Sequence, residues 1–240
     1  METLRAGIVL VALIIFAVPR VDAAILTGDL ESPPPANVNL TDKGNTDWIH
    51  WGRTTATEVN RKGTGLSQIT NFTTIKSGSN VVRLTDSPEK YSWSDGNPNA
   101  TVTNTPGGVY INNFDGPGRG FQFTAPADLI EHTLFIYLGE FNASGTLTAS
   151  LNDGSGLTYS QTLTGTPNQT VQGLYTIDYQ ANLPRSLLTV KWVETADLGA
   201  ADNITLQAVA LCTPPLVPEP TTLLLFAAGT LLFGRRRKNF

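Results

Sequence analysis

The amino-acid sequence predicts an all-β protein, an antiparallel β-sandwich of jelly-roll-like form with an apolar helix at each end. Three observations predict it. Short runs of β-branched and aromatic residues alternate with a period of two. Clusters of Gly, Asn, Asp and Pro break these runs at regular intervals, as the turns of sandwiches and barrels do. Between the two terminal apolar segments, no long stretch shows helical periodicity.

The first helix is expected in residues 1–23. Arg5 precedes an apolar stretch from Ala6 to Val18, followed by Pro19, Arg20 and the small-residue site Val21-Asp22-Ala23. A charged start, an apolar core and a cleavage site make the plan of a secretory signal peptide, with the cut after Ala23. The apolar run is shorter than the ~20 residues that a spanning helix needs. Residues 24–43 are rich in Pro and Asn, with Pro33-Pro34-Pro35 in their middle, and read as a leader.

Residues 44–212 form the predicted sandwich domain. His132 to Leu138 sets Leu134, Ile136 and Leu138 against Thr133, Phe135 and Tyr137. Leu147, Ala149 and Leu151 share one face of the next strand, and Asn152-Asp153-Gly154-Ser155-Gly156 closes a hairpin. Tyr175, Ile177 and Tyr179 share a face, as do Leu188, Val190 and Trp192. The last strand, Asn203 to Leu211, is expected to place Ile204, Leu206, Ala208 and Ala210 together. A Pro-rich linker follows at 213–220, an apolar segment at 221–234 and a basic end at 235–240.

The chain carries 16 basic and 20 acidic residues, and the two terminal segments hold six of the cations but only three of the acids. The remainder is therefore more acidic than the whole, which excludes nucleic acid as a partner, because phosphates require a positive face. Cys212 is the only cysteine, so no intramolecular disulfide forms and the core must hold the domain.

Candidate binding residues concentrate near the front. Asp47-Trp48-Ile49-His50-Trp51-Gly52 places Trp48 and His50 on one face of a strand, and Ile49 and Trp51 on the other. Tyr91 and Trp93 share a face just before Asp95. Aromatic planes stack against sugar rings while Asp or His binds hydroxyls. The same rings also make good core, since each buries a large area. Trp48, His50, Trp51, Tyr91, Trp93 and Asp95 are thus the candidate ligand contacts. Asp197 and Asp202, before the last strand, are the candidates for a structural calcium; no other cofactor is expected. Two histidines and one cysteine assemble neither a zinc cluster nor a nucleophilic triad. Gly116, Gly118 and Gly120 lack the Lys-Ser/Thr ending of a phosphate loop.

The C-terminal segment reads Val217-Pro218-Glu219-Pro220, then an apolar run from Thr221 to Phe233, then Arg235-Arg236-Arg237-Lys238. Flanking prolines keep the glutamate in stiff extended chain, and the basic cluster holds to the cytoplasmic side. This tripartite tail resembles the PEP-CTERM sorting signal of Gram-negative bacteria. The resemblance implies export by the Sec machinery, transient anchoring in the inner membrane, and processing by an exosortase at the Pro-Glu-Pro element. Segments such as Gly145 to Leu151 and Asn203 to Gln207 also resemble bacterial extracellular β-sandwich modules, some of which accompany polysaccharide-active enzymes. The sequence thus predicts a non-catalytic surface or matrix protein that contacts exopolysaccharide. A secreted glycan hydrolase or lyase, and a purely structural matrix or adhesin subunit, are the alternatives.

Overall fold

The computed structural model describes residues 23–214 apart from 66, 77, 79 and 113–115. Residues 1–22 of the expected signal peptide, residues from 215 onward and the helices expected in both lie outside the described residues. In chain order the strands begin with β1 (Ile25–Glu31), β2 (Asn37–Asn39), β3 (Asp47–Trp51), β4 (Val59–Lys62), β5 (Thr73–Ile75) and β6 (Val81–Leu84). They continue with β7 (Lys90–Trp93), β8 (Gly96–Asn97), β9 (Val102–Thr105), β10 (Gly108–Asn112) and β11 (Gly120–Ala127). The long strands come last: β12 (His132–Phe141), β13 (Ala143–Leu151), β14 (Thr158–Leu163), β15 (Thr170–Gln180), β16 (Ser186–Asp197) and β17 (Asn203–Cys212). A single helical turn, α1 (Leu40–Lys43), is capped by the Asn39 side chain, which accepts from the Thr41 N–H.

A large sheet runs β1-β15-β12-β17-β3-β4-β8, and β10 shares the β3 edge of β17 before passing to β6. A second sheet, β14-β13-β16-β11-β5, faces it. Both are antiparallel, as the sequence predicts. The core between them takes Leu134, Ile136 and Leu138 from β12 and Tyr175, Ile177 and Tyr179 from β15. Leu147, Ala149 and Leu151 of β13 and Leu188, Val190 and Trp192 of β16 meet them. Full burial of each such aliphatic side chain stabilises by roughly 1.5–3 kcal/mol.

A third layer lies on the outer face of the large sheet. The small sheet β2-β7-β9, whose β2–β7 pair is parallel, covers a second core of Val38, Leu40, Trp48, Tyr91, Trp93, Tyr137, Leu174, Ala208 and Ala210. The molecule is therefore a sandwich with a partial cover.

Two expectations need correction. The segment read as a leader is part of the fold: β1 pairs with β15 over its whole length, and Leu26 and Leu30 pack on the main core. The three prolines follow this strand instead of preceding the domain. In β17 the alternation slips. Tyr137 pairs with Ala208 but Leu138 with Leu206, so Gln207 is the extra residue of a β-bulge. Ile204, Leu206, Val209 and Leu211 consequently face the main core, while Ala208 and Ala210 turn to the cover.

Antiparallel pairing gives the sandwich two ends. One, the terminal end, carries the start of β1 and the end of β17, with the β11–β12, β13–β14 and β15–β16 loops. The β12–β13, β14–β15 and β16–β17 loops form the other.

Candidate functional site

The predicted aromatic cluster assembles, but below the surface. Trp48 and Trp93 lie 5.2 Å apart between ring centroids, and His50 sits 5.1 Å from Tyr91 and 5.3 Å from Trp93. None of the four rings is more than 2% exposed. Trp51, on the opposite face, packs against Phe72 and Phe123 in the main core and donates to Asn71 Oδ1 at 2.7 Å. A sugar has no open aromatic face to stack on at any of these positions, so these side chains are corrected to core. Burial holds the His50 imidazole neutral, at a pKa of about 3, the nearby Arg53 adding to this and Glu58 partly offsetting it. Asp95 is occupied too. It accepts from Thr41 Oγ1 (2.6 Å), Trp48 Nε1 (2.9 Å) and Lys62 Nζ (2.6 Å), which hold its carboxyl below the usual range against the opposing effect of burial.

Asp197 is exposed and accepts from the Gly199 N–H, whereas Asp202 is buried. Among the described residues, no group of three or more His, Cys, Asp or Glu side chains is arranged to hold a metal ion.

An open groove does exist, on the outer face of the large sheet beside the cover. Its volume is about 440 Å³, within the roughly 300–1,000 Å³ of small-molecule sites. Strand register builds its floor in two rows across β10, β17, β12 and β15. Asn112, Asn203, Phe141 and Thr170 form the outer row, and Tyr110, Thr205, Gly139 and Gln172 the inner one. Leu84, Asp86 and Ser87 supply a wall. Tyr110 and Phe141 are half-buried and line the groove. Gly139 keeps the floor low, because a Cβ there would stand 2.2 Å from Gln172 Oε1. Gln207, the bulge residue, donates its side-chain amide to Gln172 Oε1 at 2.6 Å and fixes it.

The groove's second acid, Glu140, is turned away from solvent. Its carboxyl oxygens are buried. Burial pushes the carboxyl up to about 8, and Glu194 adds to this, while the Gly145 amide offsets part of it. Sequence reasoning missed the groove residues. Their alternation was visible in Tyr110-Ile111-Asn112 and Asn203-Ile204-Thr205, but nothing local showed that β10, β17, β12 and β15 lie side by side.

No curated protein matches the sequence. The structure is similar to a carbohydrate-binding module, TmCBM61, solved with β-1,4-galactotriose (13% identity, TM-score 0.35, covering 60% of this chain and 88% of that one). It is also similar to the C-terminal family 22 carbohydrate-binding module of Clostridium thermocellum Xyn10B (18% identity, TM-score 0.34, 61% and 88% covered). A third likeness is to the enzymatically active domain of bacteriophage CBA120 tailspike protein 4 (11% identity, TM-score 0.38). There the alignment takes in 62% of this chain but only 20% of the tailspike, so the chain spans about a fifth of that protein's length. The family model described as the PEP-CTERM protein-sorting motif matches residues 216–238, the segment in which Val217-Pro218-Glu219-Pro220 leads to the apolar run and the basic cluster. The chain carries a PEP-CTERM protein-sorting motif at residues 216–238.

Proposed function

We propose that this is an exported cell-surface or matrix protein, processed by an exosortase at Val217-Pro218-Glu219-Pro220, whose sandwich binds a neutral polysaccharide without cleaving it. One observation carries the binding half of this reading. The groove combines two half-buried aromatic residues, Tyr110 and Phe141, with the amides of Asn112 and Asn203 and the hydroxyl of Thr170 on one floor. A ring face covers the C–H face of a sugar, and amides exchange both donor and acceptor bonds with hydroxyls. Exopolysaccharide is the fitting partner for a protein sorted to the surface. Hydrolysis needs two carboxylates converging on the scissile bond. The groove offers Asp86, while the Glu140 carboxyl is enclosed away from solvent. Before processing, the apolar run holds the precursor in the inner membrane.

The test is a titration of the purified protein with neutral β-linked polysaccharides, followed by calorimetry or affinity electrophoresis. Phe141→Ala and Tyr110→Ala should each weaken binding about tenfold, the equivalent of ~1.4 kcal/mol, while leaving the circular dichroism unchanged. Equal affinity in the wild type and both variants would remove the groove from the function.

A further inference from the structure

The exposed apolar side chains are not scattered. Among the described residues the exposed large hydrophobics are Ile25 (38%), Leu129 (48%), Leu183 (53%) and Leu187 (41%). All four lie at the terminal end. Ile25 pairs with Gln180 at the start of β1, and the Gln180 side chain donates to the Leu129 carbonyl at 2.9 Å. Leu183 stands in the β15–β16 loop, where the Ser186 hydroxyl donates to its carbonyl, and Leu187 follows at the start of β16 beside Pro126. Arg185, exposed between the two leucines, and two acids near Leu129, the exposed Glu131 and the adjoining Asp128, which meets His132 Nε2 at 3.1 Å, are charged neighbours. Single exposed apolar residues are ordinary on a protein surface; a group confined to one end marks a contact.

The chain itself points to what that end meets. Thr213 is tied to the terminal end by paired hydrogen bonds with Asn45: its carbonyl accepts from Asn45 Nδ2 at 3.1 Å, and its N–H donates to Asn45 Oδ1 at 3.0 Å. Its hydroxyl meets His132 Nδ1 at 2.9 Å. The apolar run of the sorting motif begins at Thr221. Eight residues of fully extended chain reach at most ~28 Å. While that run is in a bilayer, the terminal end is therefore held within ~28 Å of the lipid surface, and the groove end, a strand length away, has no such tether.

From this juxtaposition we propose that the terminal end is a lipid-contacting face. Leu129 and Leu183 enter the headgroup layer, Ile25 and Leu187 flank them, and the Arg185 guanidinium meets lipid phosphate while the precursor is anchored. Aliphatic tips and a basic side chain suit such an interface, because the first leave water and the second pairs with anionic headgroups. The inference rests on the sorting motif and is independent of what the groove binds.

The experiment uses the full, unprocessed chain in vesicles of phosphatidylethanolamine and phosphatidylglycerol. In a Cys212→Ser background, single cysteines replace Leu129, Leu183 or, at the opposite end, Ala201, and each carries an environment-sensitive fluorophore. A lipid-borne nitroxide should quench labels at 129 and 183 several-fold more than the label at 201, with a blue shift at the first two. Should either variant lose the parent's far-UV circular dichroism, Leu187→Cys takes its place. Equal quenching at both ends would overturn the proposal. So would labels shielded from water but not quenched by lipid: a protein-concentration dependence would then assign this face to a second copy, and its absence to a different protein partner.

Discussion

Asp95 accepts bonds from a hydroxyl, an indole and an ammonium brought from three separate stretches of chain, and so ties the cover to the large sheet. Replacing it by alanine leaves the Trp48 N–H and the Lys62 ammonium without their acceptor. Asp95→Ala should therefore lower stability by about 2–3 kcal/mol, read as a lower urea midpoint with an unchanged slope. Glu140 acts in the opposite sense. Its folded pKa of about 8 lies above the ordinary 4.5, so the folded state keeps a proton that the unfolded chain releases. Stability is then lost as pH rises from 4.5 to 8, by roughly 1.4 kcal/mol per unit. Glu140→Gln should flatten that loss and be more stable than wild type at pH 8 in denaturant titrations. The same-face relation of Trp48 with His50, and of Tyr91 with Trp93, was legible from strand alternation alone. Their burial was not, because the rings are sealed by each other's strands and by Val38 and Leu40, and no local pattern records which distant segment covers a face.

At the scale of elements, period-two alternation located the core faces of β12, β13, β15 and β16 because every second residue of Leu134–Leu138, Leu147–Leu151, Tyr175–Tyr179 and Leu188–Trp192 enters the main core with no extra residue inserted in the run. It failed in β17, where the bulge at Gln207 shifts the register by one residue and turns over everything after it. Alternation also could not reveal β1 as a strand of the fold, since only Leu26 and Leu30 face the core and prolines follow closely. Packing between strands is close where β13 crosses Trp192. A Cβ on Gly145 would stand 2.2 Å from the Trp192 ring, and that ring is fully buried with no room to yield. Gly145→Ala should cost about 1–3 kcal/mol through overpacking, seen as a lower Tm, whereas Thr146→Ala on the half-buried neighbour should change little.

For the whole molecule, the opposed titrations of His50 and Glu140 set a plateau. His50 binds a proton in the unfolded chain below its ordinary 6.5 but in the folded protein only near 3, so its contribution is lost as pH falls through that interval. Glu140 removes stability as pH rises from 4.5 to 8. Between about 4.5 and 6.5 the two slopes oppose each other, and Tm measured across pH should be highest there. Trafficking is separable from folding. Changing Pro218, Glu219 and Pro220 to alanine should leave the fold intact and trap unprocessed precursor in the inner membrane, visible as a larger membrane-fraction species; release at the normal size would overturn exosortase recognition of this element.

The residue from which the tail departs belongs to β17, an inner strand of the large sheet. β12 pairs with it from Asn203 to Cys212, and β10 and β3 divide its other edge. Antiparallel ladder bonds run perpendicular to the strands. If the groove holds a polymer while the tail is still anchored, tension between the two pulls along β17. It is then carried in shear by both ladders at once, instead of opening them one bond at a time. An attachment through β1, at the sheet's edge and paired on one side only, would place the same load on a single ladder. The chain is fastened where it best resists being drawn out.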